Sequence, residues 1–289
     1  GTTRAARPRK SQKSFSMKYA VVGSGNAAWV VAQAWSEREN ACHGVLSRDA
    51  KSGQALATAL HAQNLPLWPT SNPFAGVVLL AVSDDALPAV AQEARRAFPN
   101  ALLLHLSGAT DRKVLPGRSA VVWPMASLQR GGRLNHSKTH VYWEVSDEAD
   151  RLEVEKLAHA LSNHCHELLS DARLALHTAA TLSNNFVTHL LVESRRLCNE
   201  FNVDPRWLHD LWEQTVKMQI NHPTGDWQTG PARRRDERTL SGHLRILNER
   251  PELAQAYQAL TASIQASYPS TSADPSVTED ALKQAPNSL

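Results

Sequence analysis

A short apolar strand that runs into a glycine-rich turn constrains this chain more than any other feature. Residues 19–22 read Tyr-Ala-Val-Val, and residues 23–28 follow as Gly-Ser-Gly-Asn-Ala-Ala, a G-x-G-x-x-A pattern. Gly23 permits a tight turn, Gly25 lets the backbone approach a diphosphate, and Ala28 keeps the new helix close to the strand. The free N–H groups at the start of that helix favour an anion. The pattern therefore predicts a βα unit that binds a dinucleotide.

The composition is typical of a soluble globular protein, with 42% hydrophobic and 20% charged residues, and 289 residues are enough for two domains. The longest apolar run, residues 75–82, is too short to cross a bilayer, so we expect no membrane partner. Residues 1–16 contribute +5 to the formal charge of +3, which leaves −2 for the remainder (3 − 5 = −2). That balance argues against a nucleic-acid partner.

The two ends of the chain differ from the rest in composition. Residues 1–16 are basic and contain no acid, and Met17 stands directly before the first strand. They resemble a transit peptide, but the position of Met17 favours upstream translated sequence, and we expect a disordered leader. Residues 269–289 are rich in Pro, Ser, Thr and Asp, so we expect a disordered tail.

The thiols and imidazoles are not arranged as expected for disulfide bonds or a metal site. Cys42, Cys165 and Cys198 are odd in number and widely scattered, which suits reduced thiols in a cytoplasmic protein better than disulfides. His164 and His166 flank Cys165, but strand alternation would place the thiol opposite the two imidazoles. We therefore predict no metal site here.

Residues 17–168 alternate between short apolar runs and helical periodicity, whereas residues 169–268 are almost wholly helical in pattern. This arrangement predicts an α/β fold, a doubly wound parallel Rossmann sheet followed by an all-α C-terminal domain. We expect strands near residues 18–22, 45–46, 65–68, 76–82, 101–106, 120–123, 141–145 and 164–168.

The end of the second strand discriminates between nicotinamide cofactors. An NAD site usually has an acid about 20 residues after the glycine turn, whereas here Ser47 and Arg48 occupy that place. A guanidinium can grip the 2′-phosphate of NADP with charge-assisted bonds, so NADP is favoured over NAD. Asp49 would open the next helix instead of holding a ribose. The alternative is that Arg48 is a solvated surface charge.

Two further strand ends should deliver functional residues, because ligands bind at the carboxyl ends of the strands of such a sheet. Val82 and Ser83 follow the fourth strand, and Ser107 and Gly108 follow the fifth. The latter pair could lie near the nicotinamide or the substrate, although either serine could merely cap a helix. The predicted cofactor-binding residues are Gly23, Ser24, Gly25, Asn26, Ala27, Ser47, Arg48, Val82, Ser83 and Ser107.

A later helix combines a polar seam with an apolar remainder. At about 100° per residue, His177, Thr181, Asn184 and Thr188 form one stripe, with Asn185 beside it. This pattern predicts a buried helix whose polar groups face a ligand or hydrogen-bond to neighbouring helices. Imidazole is a suitable proton donor to a carbonyl that is reduced by hydride.

The chain resembles a bacterial Rossmann-like family whose C-terminal half is named only as a domain of unknown function. The resemblance runs from about Met17 to Ala266 and is carried by the glycine turn, the Ser107-Gly108 turn, the segment 177–185, and residues 229–236 (Thr-Gly-Pro-Ala-Arg-Arg-Arg-Asp) with His243. The family is similar to the 6-phosphogluconate and β-hydroxyacid dehydrogenases, ketopantoate reductase and pyrroline-carboxylate reductase. The resemblance implies an NADP oxidoreductase with a dimerising helical domain, and it favours His177 and Asn185 as site residues.

The chain departs from these relatives in three places. Arg235 stands where many members have glycine, and Trp123-Pro124-Met125 stands where many have histidine before proline. The β-hydroxyacid dehydrogenases use a lysine one turn before the substrate-binding asparagine, but no lysine occurs from residue 171 to residue 216. Thr181 takes that place, so lysine-assisted chemistry from this helix is excluded.

These observations predict an NADP-dependent oxidoreductase that transfers hydride to a small, anionic carbonyl or imine in an interdomain cleft. His177 and Asn185 are the predicted catalytic residues, and Ser107, Gly108, Asn184 and Arg234 the predicted substrate-binding residues. The chief alternative is a non-catalytic NADP-binding or redox-sensing homodimer. A methyltransferase that uses S-adenosylmethionine is disfavoured by the Ser47-Arg48 pair. No residue pattern identifies the substrate.

Overall fold

A computed structural model describes residues 17–38, 40–70, 72–222 and 227–269. The predicted leader, and the predicted tail beyond residue 269, lie outside the described residues. The chain divides into two compact units, one ending at Glu193 and the other beginning at Ser194.

The first unit is built on one sheet, in which the described residues form eight strands in the order β3-β2-β1-β4-β5-β6-β7-β8. Strands β1 to β6 run parallel, β7 pairs antiparallel to β6, and β8 runs parallel to β7. The strands are β1 Lys18–Val22, β2 Ala41–Leu46, β3 Gln63–Leu65, β4 Val77–Leu80, β5 Leu102–His105, β6 Ser119–Pro124, β7 His140–Val145 and β8 His164–Glu167.

The fold class is the predicted one, a mostly parallel Rossmann sheet with helices and a helical C-terminal region. The reversal of β7 is a correction to the purely parallel sheet that the sequence predicted. A parallel crossover needs a connection of a dozen or more residues, usually a helix. The link between β6 and β7 contains only turns and loop, so β7 returns beside β6 in the opposite direction.

Apolar residues cover the sheet on both faces, as expected for parallel strands. One face packs against α1 (Asn26–Ser36), α2 (Ala50–Ala59) and α4 (Arg151–Leu161), and the indole of the fully buried Trp35 donates to the Leu157 carbonyl at 3.0 Å. The other face packs against α3 (Leu87–Ala97). Sheet and helices together fix the carboxyl ends of β1, β2, β4 and β5 along one edge.

The last helices of the first unit contain an irregular turn. Helix α5 (Ser170–Ala180) passes through a π turn (Thr181–Asn185) into α6 (Phe186–Glu200), and the Phe186 N–H bonds to the Thr181 carbonyl. The boundary between the two units falls inside α6. Phe186 is 55% exposed, and Leu182 and Val187 are exposed too. The prediction that this helix is buried is therefore wrong for the single chain, because an apolar pattern does not distinguish a core from a surface awaiting a partner.

The second unit is helical throughout its described secondary structure. It comprises the end of α6, a 3-10 turn (Pro205–Leu208), α7 (His209–Asn221), α8 (Pro231–Arg234), α9 (Glu237–Ile246) and α10 (Pro251–Ser267). Gly230 has φ +98° before α8, and Arg235 takes a left-handed φ of +55° after it. Glycine adopts a left-handed φ most readily, and here an arginine takes it and donates from its side chain to the Gln265 carbonyl at 2.9 Å. None of the described helices has the length and apolar character required to cross a membrane.

Candidate active site

The glycine turn owes its shape to a close approach between backbones. Gly23 has φ +107°, and a Cβ at this position would lie 2.3 Å from the Ala81 carbonyl oxygen. The Gly23 N–H donates to the Leu46 carbonyl at 2.8 Å, so the turn is anchored between β2 and β4. Gly25 is different, because a Cβ there would meet nothing within 4 Å. Gly23 is thus required by the fold, and Gly25 leaves open space.

That open space lies at the start of α1. Gly25 is the N-cap residue and makes no side-chain capping bond, since it has no side chain, and no acid occupies the first turn. The first N–H groups of a helix have no partner within the helix and carry partial positive charge. The residues present therefore fit a diphosphate, whose oxygens would accept from these N–H groups.

A cavity of about 620 Å³ opens in front of this turn. Its lining includes every residue that the sequence predicts to bind the cofactor: Gly23, Ser24, Gly25, Asn26, Ala27, Ser47, Arg48, Val82, Ser83 and Ser107. Leu67, Trp68 and His105 also line it and were missed by sequence reasoning. Trp68 has a left-handed φ of +62°, a conformation that is costly for a bulky residue and is often found at functional sites. Trp68 stands three residues after the end of β3, in the segment 65–68 that the sequence predicts as a strand.

The end of β2 has the arrangement that a 2′-phosphate requires. The hydroxyls of Ser24 and Ser47 are 2.8 Å apart, and the Arg48 side chain is exposed beside them. Asp49 caps α2, because its carboxylate accepts from the Ser52 N–H and hydroxyl, each at 3.0 Å. These bonds lower the pKa of Asp49. The prediction that Asp49 opens the next helix is confirmed, and its carboxylate is directed to that helix end.

The turn after β5 is held by bonds within itself. The Ser107 hydroxyl accepts from the Ala109 N–H at 3.1 Å and from the Thr110 N–H at 2.9 Å. Its own N–H donates to Nδ1 of His105 at 3.1 Å. Ser107 therefore closes the turn after β5 and does not cap a helix, because Asp111 caps the 3-10 turn that follows (Arg112–Val114). It also lines the cavity at the glycine turn.

His105 lies fully buried beneath this turn. Burial, reinforced by the nearby Arg173 guanidinium, lowers the pKa of His105 from 6.5 to about 3, so the imidazole is neutral at physiological pH. Nδ1 accepts a bond, so the neutral ring carries its proton on Nε2, which has no hydrogen-bond partner in the described structure. The ring serves as a fixed acceptor for the Ser107 N–H.

A second cavity, of about 540 Å³, brings together the other predicted residues. His177, Asn184 and Asn185 line it, together with Trp123, Met125 and Ser127 near the end of β6. The rings of His177 and Trp123 are 5.6 Å apart between centroids. No Asp, Glu, Lys or Arg is found among the described residues that line it.

Gly108 connects the two cavities. A Cβ at Gly108 would lie 2.6 Å from Cδ2 of His177 and 2.6 Å from Cε2 of Trp123, so the backbone of the turn rests directly on both rings. Its neighbour Ser107 lines the first cavity. A group bound beside Ser107 would therefore lie next to the imidazole of His177.

The sequence analysis identified the helix that carries the polar residues, but it assumed a regular α-helix with 100° between successive residues. The π turn has more residues per turn than an α-helix, so the side chains after Thr181 are rotated away from the positions that 100° per residue predicts. As a result Ser183 and Asn185 also line the cavity, whereas Thr188, a member of the predicted stripe, is not among its lining residues. Trp123 and Met125 were noted only as a departure from relatives, and that departure was the available signal for their role.

The remaining predicted residue, Arg234, lies exposed on α8 in the second unit. Its role as a substrate-binding residue stays a prediction.

Asp236, two residues after Arg234, caps α9 because its carboxylate accepts from the Thr239 N–H at 3.1 Å and from the Thr239 hydroxyl at 2.7 Å. Those bonds lower the pKa of Asp236. Within the part of the chain that is described, no group of three or more His, Cys, Asp or Glu residues could hold a metal ion.

The fold and the two cavities define a protein of the Rossmann class with a helical C-terminal region. Residues 140–264 match a family model described as a domain of unknown function, DUF2520. The resemblance that the sequence motifs indicate is thus confirmed. No curated protein sequence matches the chain.

Solved structures share this architecture over nearly the whole described chain. A "putative NADP oxidoreductase" from Bacteroides fragilis is 25% identical, with a TM-score of 0.75 over 87% of this chain and 98% of that one. A reductive aminase from Aspergillus terreus, solved with NADPH and ethyl levulinate, is 18% identical with a TM-score of 0.61 over 87% and 93%. An imine reductase from Myxococcus stipitatus, solved with NADP+, is 13% identical with a TM-score of 0.63 over 87% and 95%. The last two likenesses show the fold alone.

Proposed function

We propose that this protein is an NADP-dependent oxidoreductase that transfers hydride to a small carbonyl or imine. The observation that carries the proposal is the Ser107-Gly108 turn. Ser107 lines the cavity at the glycine turn, and Gly108 touches the imidazole of His177 in the second cavity. A hydride donor and a proton donor would therefore meet at one short stretch of backbone.

Three observations support NADP as the cofactor. The N-terminus of α1 leaves free N–H groups and open space at Gly25 for a diphosphate. Arg48 is exposed at the end of β2, and Asp49 is held at the cap of α2. The Bacteroides fragilis protein, similar in fold, is described as an NADP oxidoreductase.

Bound NADPH would supply a hydride, that is, one proton with two electrons, to the carbonyl or imine carbon. His177 would donate the proton that the oxygen or nitrogen needs, so that an alcohol or amine and the oxidised cofactor result. Asn184 and Asn185 would orient the substrate through their amides. Trp123 and Met125 would cover the reacting carbon and exclude water.

Two finer parts of the proposal depend on the second unit. An anionic substrate would require a cation such as Arg234, because the described lining of the His177 cavity includes no lysine or arginine. A cleft between domains would likewise require residues of that unit. Binding of 2-oxo acids in preference to neutral ketones would support both.

A second copy of the chain is the proposed partner of the helical unit. In α7 and the turn before it, Trp207 is 76% exposed, and Leu211, Val216 and Ile220 are exposed as well. Apolar side chains repeated on a helix surface typically mark an interface. In the first unit, Leu182 and Phe186 at the π turn are exposed apolar residues too. Sedimentation of the wild-type protein should give a dimer, and Leu211→Glu with Ile220→Glu should give a monomer.

The test of the proposed function is a titration of tryptophan fluorescence with NADPH, NADH and S-adenosylmethionine in parallel. We expect saturable binding of NADPH, weaker binding of NADH and none of S-adenosylmethionine. Absence of NADPH binding at millimolar concentration would overturn the proposal, and preferential binding of S-adenosylmethionine would point to a methyltransferase.

Turnover distinguishes an enzyme from a sensor. NADPH oxidation against a panel of 2-oxo acids, neutral ketones and cyclic imines should identify a substrate, and His177→Ala should lower kcat for it. Binding of NADPH without oxidation by any member of the panel would favour a non-catalytic NADP-binding or redox-sensing protein.

A further inference from the structure

A buried ionic cluster lies between the turn after β5 and helix α5. Arg173 on α5 has no exposed surface, and its guanidinium donates to Glu144 Oε2 at 2.6 Å and to the Thr110 carbonyl at 2.7 Å. Glu144 on β7 is 6% exposed and accepts from Arg112 through its other oxygen at 3.3 Å. One guanidinium thus joins a helix, a strand and a turn.

Ser170 closes the same cluster at the start of α5. Its hydroxyl donates to Glu144 Oε2 at 2.7 Å and accepts from the Arg112 N–H at 3.2 Å. The turn is therefore held at two of its residues, Thr110 and Arg112, by groups of α5. A buried ion pair is strongly destabilising to break on one side, so the arrangement has little freedom to shift.

Strand register places this cluster beside the second cavity. Val121 pairs with Glu144 and Trp123 pairs with Tyr142, so all four side chains project from one face of the sheet. Arg173 and His177 are four residues apart on α5, which puts them on one face of that helix. Arg173 accordingly lies over Glu144, and His177 lies over Trp123.

We propose that Arg173, with Glu144 as its anchor, is a positioning residue that holds the Ser107-Gly108 turn against His177. The importance of Arg173 for catalysis rests on the proposed function. In that function the hydride and the proton reach the substrate where the Ser107-Gly108 turn contacts the imidazole of His177. A displacement of about 1 Å at such a point can cost about a hundredfold in rate. The guanidinium fork is the required group, since it reaches the carboxylate and the carbonyl together.

The test uses Arg173→Lys in the full chain without added ligand. Lysine keeps a positive charge beside Glu144, but one ammonium group on a flexible stem does not reproduce both bonds of the planar fork. Two quantities are measured: hydrogen exchange of the peptide that covers residues 106–112, and the NMR shifts of the His177 ring protons, which the Trp123 ring displaces. His177→Gln assigns the signals.

We expect the peptide to exchange about tenfold faster in Arg173→Lys, and the His177 ring protons to move toward the shifts of free histidine. Arg118→Lys is the matched control, because Arg118 also binds a buried carboxylate, Asp150, through bonds of 2.6 to 2.9 Å. It lies at the start of β6, so both readouts should stay at their wild-type values even if the variant loses stability.

The proposal is overturned if Arg173→Lys leaves the His177 shifts unchanged, or if Arg118→Lys changes them equally. Ser170→Ala decides the matter if Arg173→Lys does not fold, because it removes a bond to Glu144 and a bond to Arg112 and should move both readouts in the same direction by less. No cofactor is present in these measurements. A failure of NADPH binding would therefore refute the proposed function and leave the positioning result standing.

Discussion

The two cavities of the first unit are built in opposite ways. The cavity at the glycine turn is lined largely by residues at or just after strand ends, and its central element is a contiguous stretch, residues 22–27. The cavity at His177 is lined by residues from the end of β6, the loop after it, helix α5 and the π turn. The G-x-G-x-x-A spacing of residues 23–28 is enough to locate the first cavity in the sequence. No local motif locates the second cavity, because it forms where residues 123–127 pack near residues 176–185.

Glycine illustrates the difference. Gly23 is required because the turn approaches the β4 end at Ala81, so its role belongs to the fold. Gly108 is required because its backbone lies on the rings of His177 and Trp123, so its role belongs to the site. Gly25 meets nothing and leaves room for a ligand. Substitution of each by alanine should therefore give three different outcomes.

Gly23→Ala should have the largest effect. The new methyl group would face the Ala81 carbonyl oxygen at 2.3 Å and the residue would keep a strained φ of +107°. We expect the free energy of unfolding to fall by about 2–4 kcal/mol, measured by urea denaturation. Gly25→Ala is the control and should lose less than about 0.5 kcal/mol. An equal loss in both variants would contradict the distinction.

Gly25→Ala should leave the fold intact and weaken the ligand. Its methyl group would occupy the space in which we place the diphosphate. The dissociation constant of NADPH should rise about tenfold to a hundredfold, measured by fluorescence titration, while the urea midpoint stays within error. Unchanged NADPH affinity would mean that the diphosphate lies elsewhere.

Gly108→Ala should affect the second cavity and spare the first. A methyl group 2.6 Å from both rings would push the turn away from His177. With a substrate from the panel, kcat should fall about tenfold to a hundredfold, and the NADPH dissociation constant should change less than about threefold. A large loss of NADPH affinity would show that the two cavities are not separable at this turn.

Arg48→Gln should alter only the choice between cofactors. An exposed guanidinium on a phosphate contributes less than a buried one, so we expect the preference for NADPH over NADH to fall about tenfold. Lys51→Gln, at the second residue of α2 and also exposed, is the control and should change neither affinity. If both variants shift the preference equally, the effect is general charge and Arg48 makes no specific contact.

His105 should give an effect of another kind, a dependence of stability on pH. Its pKa is lowered to about 3 in the folded chain, so between pH 6.5 and about 3 only the unfolded chain takes up this proton. The stability conferred by His105 is thus present above pH 6.5 and is lost as the pH falls, by up to about 1.4 kcal/mol per unit. In urea denaturation at about pH 7 and about pH 5, His105→Gln should lose less stability than the wild type. Equal losses would show that His105 titrates normally.

The sequence predicts the elements of the first unit well where apolar runs are unambiguous. β1, α1 and the run that became β4 lie where spacing and hydrophobicity predict them. β2 begins earlier than Val45, at Ala41, because its exposed start carries His43 and small residues that conceal the strand. The helix expected after Ser83 begins at Leu87, since residues 83–86 form a turn whose Ser83 carbonyl accepts from the Leu87 N–H.

The candidate site is predictable to the extent that it follows strand ends. The ten residues predicted to bind the cofactor could be chosen because each lies at or just after the end of a strand in the expected order, and all ten line one cavity. Trp123, Met125 and the Arg173–Glu144 pair could not be chosen, because their roles come from the reversal of β7 and the path of α5 over the sheet. Tertiary placement of this kind has no signature in local spacing.

The π turn at Thr181–Asn185 has a consequence for descent. A π turn accommodates one residue more than the α-helical frame around it, so the insertion of a single residue into a continuous helix would produce one. An ancestor without that residue would have carried a continuous helix, with the asparagine pair turned by about one residue's rotation. In an alignment of related chains we expect a one-residue gap between positions 181 and 185. Related chains that have this residue and those that lack it should differ in the substrates they accept.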